Sequence, residues 1–218
     1  MILTIGQIKG GVGKSLLSSN ITVLRAQAGN VLLIDADEQG TSGDWADHRA
    51  SLEIPTEWTT IRLKANAIRT EVKKLAPKFD DIIIDCGGRD TASLRAALTI
   101  SDIFLVPFQP KSFDIWTKDK VCSLIEEATA VNDKLKCYAV INCAFPRGTD
   151  NEEAKKILSK VEGLKLLPAT IGMRKSFSNA TAEGLGIIEM KGDQKAKEEM
   201  IALHDAIFGR KKAQARQK

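Results

Sequence analysis

Short unbroken apolar runs alternate along this chain with longer stretches in which apolar residues recur every three or four positions. The unbroken runs are Ile2 to Ile8, Val31 to Ile34, Asp81 to Asp85, Ile103 to Val106 and Tyr138 to Asn142. Strands buried on both faces have this composition, because neither face needs a polar residue. Helical spacing occupies Leu16 to Ala28, Ala65 to Leu75, a stretch ending at Leu98, about Phe113 to Val131, and Glu152 to Val161. Gly29-Asn30 predicts the end of the first helix and Pro77 the end of the second. Asp90 or Thr91 is the expected cap of the third. Trp58 to Leu63 reads as an edge strand and Leu164 to Leu167 as a short strand ended by Pro168. Phe177 to Glu183 and Asp193 to Phe208 read as helices around a Gly184-Leu185-Gly186 break. From Trp45 the pattern is less regular and predicts no element. The alternation predicts an α/β fold of three layers, a mostly parallel sheet flanked by helices. One domain over residues 1–208 and a tail over 209–218 are expected.

The first apolar run leads into Lys9-Gly10-Gly11-Val12-Gly13-Lys14-Ser15, and helical spacing begins at Leu16. Strand, glycine loop and helix form the context a phosphate-binding loop requires. Glycines let successive N–H groups turn toward one anion, and the helix N-terminus adds partial positive charge. On this reading Lys14 reaches the terminal phosphates and Ser15 completes the shell of a Mg²⁺ ion. Lys9 follows the position, Ile8, where the commoner form of the loop carries its first glycine. Two carboxylates, Asp35 and Asp37, follow the second apolar run, and Asp85 closes the third. In open α/β sheets ligands bind beyond the carboxyl ends of strands, so these acids belong near the loop. A strand ending in Asp downstream of a phosphate loop is a usual holder of magnesium.

Composition changes this picture little. At 218 residues and 43% hydrophobic content, a sizeable core is expected. No apolar run approaches the ~20 residues of a membrane span. Cys86, Cys122, Cys137 and Cys143 form no C-x-x-C pair, and His48 and His204 are the only histidines, a poor basis for a zinc site. The thiols read as reduced packing residues of a cytoplasmic protein. Charge is more telling once located. The tail carries Arg210, Lys211, Lys212, Arg216 and Lys218 without an acid, and removing those five from a net of +4 leaves −1. Such an arm either binds nucleic acid by displacing counterions or is a solvated tail; charge alone does not choose.

Lys9-Gly10-Gly11-Val12-Gly13-Lys14-Ser15 resembles the deviant Walker A loop of the ParA/MinD family of P-loop ATPases. Asp35-Ala36-Asp37-Glu38-Gln39-Gly40 is similar to that family's D-x-D-P-Q-G segment, and Ile82-Ile83-Ile84-Asp85 to its magnesium strand. Pro107-Phe108-Gln109-Pro110, Asp114-Ile115-Trp116, and Arg174, Phe177, Ala180 and Gly184 resemble the short plasmid-partition ParA proteins. The resemblance implies ATP and Mg²⁺ as cofactors. It implies that Gly10, Gly11, Val12, Gly13, Lys14, Ser15 and Leu16 cradle the phosphates, with Ser15, Asp35 and Asp85 around Mg²⁺. Lys14 is then the subunit's own phosphate lysine, and Lys9 reaches the partner's nucleotide in an ATP-sandwich homodimer. Asp37 orients the attacking water, and Asn142 and the segment after Pro168 border adenine.

The sequence departs from the family pattern at Leu16, at Glu38, at Lys111 and at Cys86-Gly87-Gly88-Arg89. Arg89 reads equally as a catalytic arginine or as a loop residue paired with an acid such as Asp90. The implied function is slow, partner-stimulated ATP hydrolysis. A dimer that binds DNA non-specifically would segregate a plasmid or position another cargo, assisted by a ParB-like or other small activating partner. That implies a nucleoid-associated protein without membrane attachment. Arg174, Lys175, Arg210, Lys211, Lys212 and Arg216 are the expected DNA contacts. The alternative is a MinD-like, membrane-associated ATPase using a terminal amphipathic helix over Met200 to Phe208.

Overall fold

The computed structural model describes residues 1–88, 91–110 and 115–209, the side chains of 115–117 excepted. The strands are β1 (Ile2–Ile5), β2 (Val31–Asp35), β3 (Trp58–Arg62), β4 (Asp81–Asp85), β5 (Ile103–Phe108), β6 (Lys136–Ala144) and β7 (Lys165–Gly172). They form one sheet in the order β3-β2-β4-β1-β5-β6-β7, and every neighbouring pair is parallel. The helices are α1 (Lys14–Ala26), α2 (Thr41–Ser51), α3 (Asn66–Leu75), α4 (Ala92–Leu98), α5 (Ile115–Val131), α6 (Asp150–Leu158), α7 (Lys175–Ala182) and α8 (Gln194–Phe208).

Successive strand residues face opposite sides of the sheet, so each apolar run feeds two cores. Leu32, Ile34, Ile82, Ile84, Phe104 and Val106 pack on one face with Ile68 and Val72 of α3, Leu94 of α4 and Leu124 of α5. Val31, Leu33, Ile83, Leu105 and Val140 pack on the other with Leu17 and Ile21 of α1, Phe177 of α7, and Met200 and Leu203 of α8. The three-layer architecture follows from that period-two division.

Three expectations are corrected. β1 stops at Ile5, not Ile8, because Gly6 runs so close to α4 that a Cβ there would lie 2.6 Å from Leu94 Cδ1. β7 continues past Pro168 to Gly172. It is an edge strand, and its register against β6 shifts between Ala139 and Ile141, so a residue without an N–H is tolerated. The irregular stretch around Trp45 contains α2, whose buried positions are Ser42, Gly43, Trp45 and Arg49 rather than an apolar stripe. Tertiary anchors hold this helix. Trp45 stacks on Trp58 with centroids 5.6 Å apart, and Arg49 forms a two-pronged ion pair with Glu189 at 2.7 and 2.8 Å.

The cap of α4 is Thr91, whose Oγ1 accepts from the Leu94 N–H at 3.2 Å. Asp90, its alternative, lies outside the described residues, as do Arg89, Lys111, Phe113 and Asp114. Among the described residues no helix is long and apolar enough to cross a membrane.

Candidate nucleotide-binding site

Because all strands are parallel, the turns after β1, β2 and β4 open on the same end of the sheet, and there they enclose a cleft of about 710 Å³. Its walls are the loop from Gly10 to Leu16, the Ala36–Gln39 segment with Thr41, and the turn at Gly87 and Gly88 leading to Thr91 and Ser93. The cleft sits where the sheet order directs the chain away from β1 on both sides, the position at which α/β sheets bind ligands.

The loop is held from below. Gly11 and Gly13 adopt left-handed backbone, φ +73° and +87°, a conformation that favours glycine. Lys14 Nζ donates to the Lys9 carbonyl at 3.3 Å, Gln109 Nε2 to the Gly11 carbonyl at 2.7 Å, and Asn142 Nδ2 to the Val12 carbonyl at 2.7 Å. The Leu17 N–H closes the set on the Gly13 carbonyl at 3.0 Å. Lys14 is 6% exposed, and burial lowers its pKa against the opposing pull of Asp85 and Asp37. Its charge is therefore placed where it is poorly solvated and gains most from an anion.

β2 and β4 end in register, Asp35 opposite Asp85, which sets the two carboxylates on adjacent strands about 5 Å apart. Their environments differ. Asp35 accepts from the backbone N–H of Asp37 at 3.1 Å and of Gly43 at 2.7 Å, which fixes the turn into α2. Asp85 is fully buried and accepts from Ser18 Oγ at 3.1 Å through Oδ1, while Oδ2 has no hydrogen-bond partner among the described residues. Burial raises its pKa to about 6, with the nearby hydroxyls of Ser15, Ser42 and Ser18 pulling the other way. A buried carboxylate oxygen without a partner, beside the Ser15 hydroxyl and the phosphate loop, is a set of hard oxygen donors that fits Mg²⁺.

Asp37 stands at the mouth of the cleft, where its Oδ1 accepts from the Gln39 N–H at 3.1 Å. The turn after β4 closes against it: a Cβ on Gly87 would lie 2.8 Å from Asp37 Oδ1, and one on Gly88 would lie 2.8 Å from Gly10 Cα and 3.3 Å from Lys14 Nζ. Glycine at both positions lets the three loops pack edge to edge here. Sequence pattern singles out none of Gly87, Gly88, Gln109 and Ser18 as a site residue. Gln109 lies in the P-F-Q-P run, but a lone glutamine carries no chemical signal of its own.

Other expected site residues are placed differently. Asn142 is 1% exposed beneath the loop, bonded to Val12, and Pro168 lies within β7; neither lines the cleft. Arg174 caps α7 and is engaged by Glu199, through Nη2 at 2.7 Å and Nε at 3.2 Å, with Asp193 at 3.8 Å. Lys175 is exposed beside it. Arg210, Lys211, Lys212 and Arg216 lie outside the described residues. The apolar stripe of α8, Ala196, Met200, Leu203 and Ile207, is buried in the core with Ile171 of β7 and Ile21 of α1.

A parallel sheet with a glycine-rich phosphate loop after its central strand, and acids closing β4 beside that strand and β2 beyond it, defines a P-loop nucleotide-binding protein. Residues 3–187 match the family model described as the CobQ/CobB/MinD/ParA nucleotide binding domain, and the chain belongs to that family. Its ParA and MinD members are P-loop ATPases. The Halothiobacillus neapolitanus protein named maintenance of carboxysome distribution protein A is 28% identical over 192 residues, covering 86% of this chain and 87% of that one. Protein ParA of Rhizobium radiobacter is 23% identical over 197 residues, covering 88% and 87%. Among solved structures, the ATP complex of a McdA variant from Cyanothece matches with a TM-score of 0.81 at 15% identity, covering 96% and 97%. That last likeness is one of fold.

Proposed function

We propose that this chain is a nucleotide-switched positioning ATPase that forms an ATP-sandwich homodimer, binds DNA non-specifically and releases it on partner-stimulated hydrolysis. The observation that carries the reading is a buried Lys14 in the field of the buried Asp85, whose Oδ2 has no hydrogen-bond partner among the described residues, on a loop that opens with a second lysine, Lys9. Relatives named for carboxysome distribution and a relative named ParA support positioning as the biological output.

In this scheme Lys14 and the loop N–H groups of Gly11, Val12 and Gly13 hold the phosphates. Ser15 and Asp85 hold Mg²⁺, and Asp35 fixes the Asp37 turn beside it. Held by these residues, Mg²⁺ would supply positive charge against the phosphates. Asp37 accepts a hydrogen bond from the attacking water and aims it. Lys9, a long-stemmed point charge, reaches the nucleotide of the facing subunit, so loss of the γ-phosphate removes a contact between subunits. Lys175 and the basic tail are the DNA contacts. Arg174, already paired with Glu199, is the weaker candidate. A MinD-like membrane mode gains no support from α8, whose apolar stripe is spent on the core.

The test is the mass of the particle and its retention on DNA with ATP, with ADP and without nucleotide. Dimers and DNA retention with ATP alone, the latter falling steeply between low and moderate salt, are expected. A monomer under all three conditions, or DNA retention indifferent to salt, would overturn the scheme.

A further inference from the structure

A peptide unit is planar and trans, so the carbonyl of one residue and the N–H of the next point in opposite directions. In the phosphate loop the carbonyls of Gly11, Val12 and Gly13 are all held from the protein side: by Gln109 Nε2, by Asn142 Nδ2 and by the Leu17 N–H. The N–H groups of Val12, Gly13 and Lys14 are thereby turned the other way, toward the cleft. The Leu17 contact is the first helical bond of α1 and comes with the helix. The other two come from side chains just beyond β5 and within β6, 98 and 130 residues along the chain from the carbonyls they hold.

We propose that Gln109 is a positioning residue for the phosphate loop: it fixes the Gly11–Val12 peptide so that the Val12 N–H faces the phosphates. This rests on the nucleotide reading above and adds a determinant of affinity outside the loop. The need for such a clamp follows from the glycines. Gly10, Gly11 and Gly13 give the loop little torsional preference of its own, and a loop that samples several peptide orientations presents its donors only part of the time. A primary amide suits the task, since it donates to a carbonyl without bringing a charge beside Lys14. Gln109 is half-buried, whereas Asn142 is fully enclosed beneath Gly13. Substitution at Gln109 therefore tests loop orientation without opening the core.

The experiment compares Gln109→Met, which keeps the length and loses the donor, with Gln109→Glu, which keeps the shape and turns an acceptor toward the Gly11 carbonyl. Dissociation constants for Mg-ATP and ADP, the melting temperature without nucleotide, and kcat at saturating ATP are measured for both and for the parent chain. Gln109→Met should weaken both nucleotides about tenfold, about 1.4 kcal/mol. Gln109→Glu should weaken them further. The nucleotide-free melting temperature should fall by no more than a few degrees in Gln109→Met, as the loss of one neutral hydrogen bond in the folded loop requires, while the saturated kcat stays at the parent's value. Parent-like affinity in Gln109→Met, or a saturated kcat that falls as far as affinity does, would overturn the positioning role. A parent chain that binds no nucleotide would overturn the site reading and this inference with it.

Discussion

Gly13 and Asn142 leave no space between them: a Cβ on Gly13 would lie 2.2 Å from the Asn142 side-chain nitrogen that donates to Val12. Gly13 also has φ +87°, where a side chain adds strain of roughly 1–2 kcal/mol. Gly13→Ala must therefore displace Asn142 and leave a buried amide unpaired, a further loss of about 1–3 kcal/mol. Gly10 has nothing within 4 Å of its Cβ position and no positive φ. Thermal melting without nucleotide should show Gly13→Ala clearly destabilised and Gly10→Ala within about 0.5 kcal/mol of the parent. Equal melting temperatures would mean that Asn142 does not lock the loop.

Gly87 offers a way to disturb Asp37 without touching the phosphate loop. The Cβ of Gly87→Ala would meet Asp37 Oδ1 at 2.8 Å, and a carboxylate at the end of a short side chain yields by rotating away. A displaced aiming group costs chemistry more than binding, up to about 100-fold in rate for a shift near 1 Å. Gly87→Ala is expected to bind Mg-ATP like the parent and to hydrolyse it at least several-fold more slowly. Single-turnover hydrolysis beside an equilibrium binding curve separates the two, and an unchanged rate would remove Asp37 from the chemistry.

The central strands were legible because their residues, Val31 to Ile34 and Ile82 to Ile84, are apolar on both faces and admit no other reading. The phosphate loop was legible for a similar reason, since its glycines and lysines must be contiguous. Features built across the sheet were not. α2 has no apolar periodicity; it is fixed by Asp35 at its start and by Arg49 with Glu189 near its end, partners 140 residues apart in the second case. Asn142 closes an apolar run in sequence, and only the packing of β6 under the loop shows that it bonds to Val12. Arg174 looks like a free cation in sequence until folding brings Glu199 of α8 beside it. Pro168 reads as a stop in sequence because an edge position and a register shift cannot be seen from one strand alone.

Two arginines illustrate how burial decides the worth of an ion pair. Arg49 is 3% exposed, pairs with Glu189 through two nitrogens, donates to the carbonyls of Pro55 and Gly184, and lies 4.9 Å over the Trp58 ring. Removing it leaves the Pro55 and Gly184 carbonyls without this donor and Glu189 with the Gly186 N–H alone, and Arg49→Ala should cost about 3–5 kcal/mol. Arg62 pairs with Asp44 and Asp47 in the open, and Arg62→Ala should cost at most about 1 kcal/mol. Denaturant melts of the two variants should differ in midpoint accordingly. A small loss in Arg49→Ala would show that α2 is anchored by Trp45 and Asp35 alone.

His204 makes stability depend on pH in a defined direction. Its ring stacks on Phe208 at 5.0 Å, Nδ1 lies 3.1 Å from Asp205 Oδ1, and Nε2 is buried without a partner among the described residues. Across the Phe208 ring, 4.4 Å from its centroid, lies the Arg25 guanidinium, itself paired with Asp81 of β4. Burial, with Arg25 adding to it, lowers the His204 pKa below 6.5, and Asp205 and Asp81 only partly offset this. The unfolded chain then takes up its proton first as pH falls, so the stability from neutral His204 is complete above pH 6.5 and is lost as pH drops through and below that value. Between pH 7.5 and 5.5 the parent melting temperature should fall relative to that of His204→Gln, a difference from which the opposite contribution of Asp85, whose pKa burial raises to about 6, cancels. His48→Gln is the control, as the other histidine of the chain. A parent and His204→Gln profile that run parallel would show that the imidazole takes up its proton in the folded α8 without penalty.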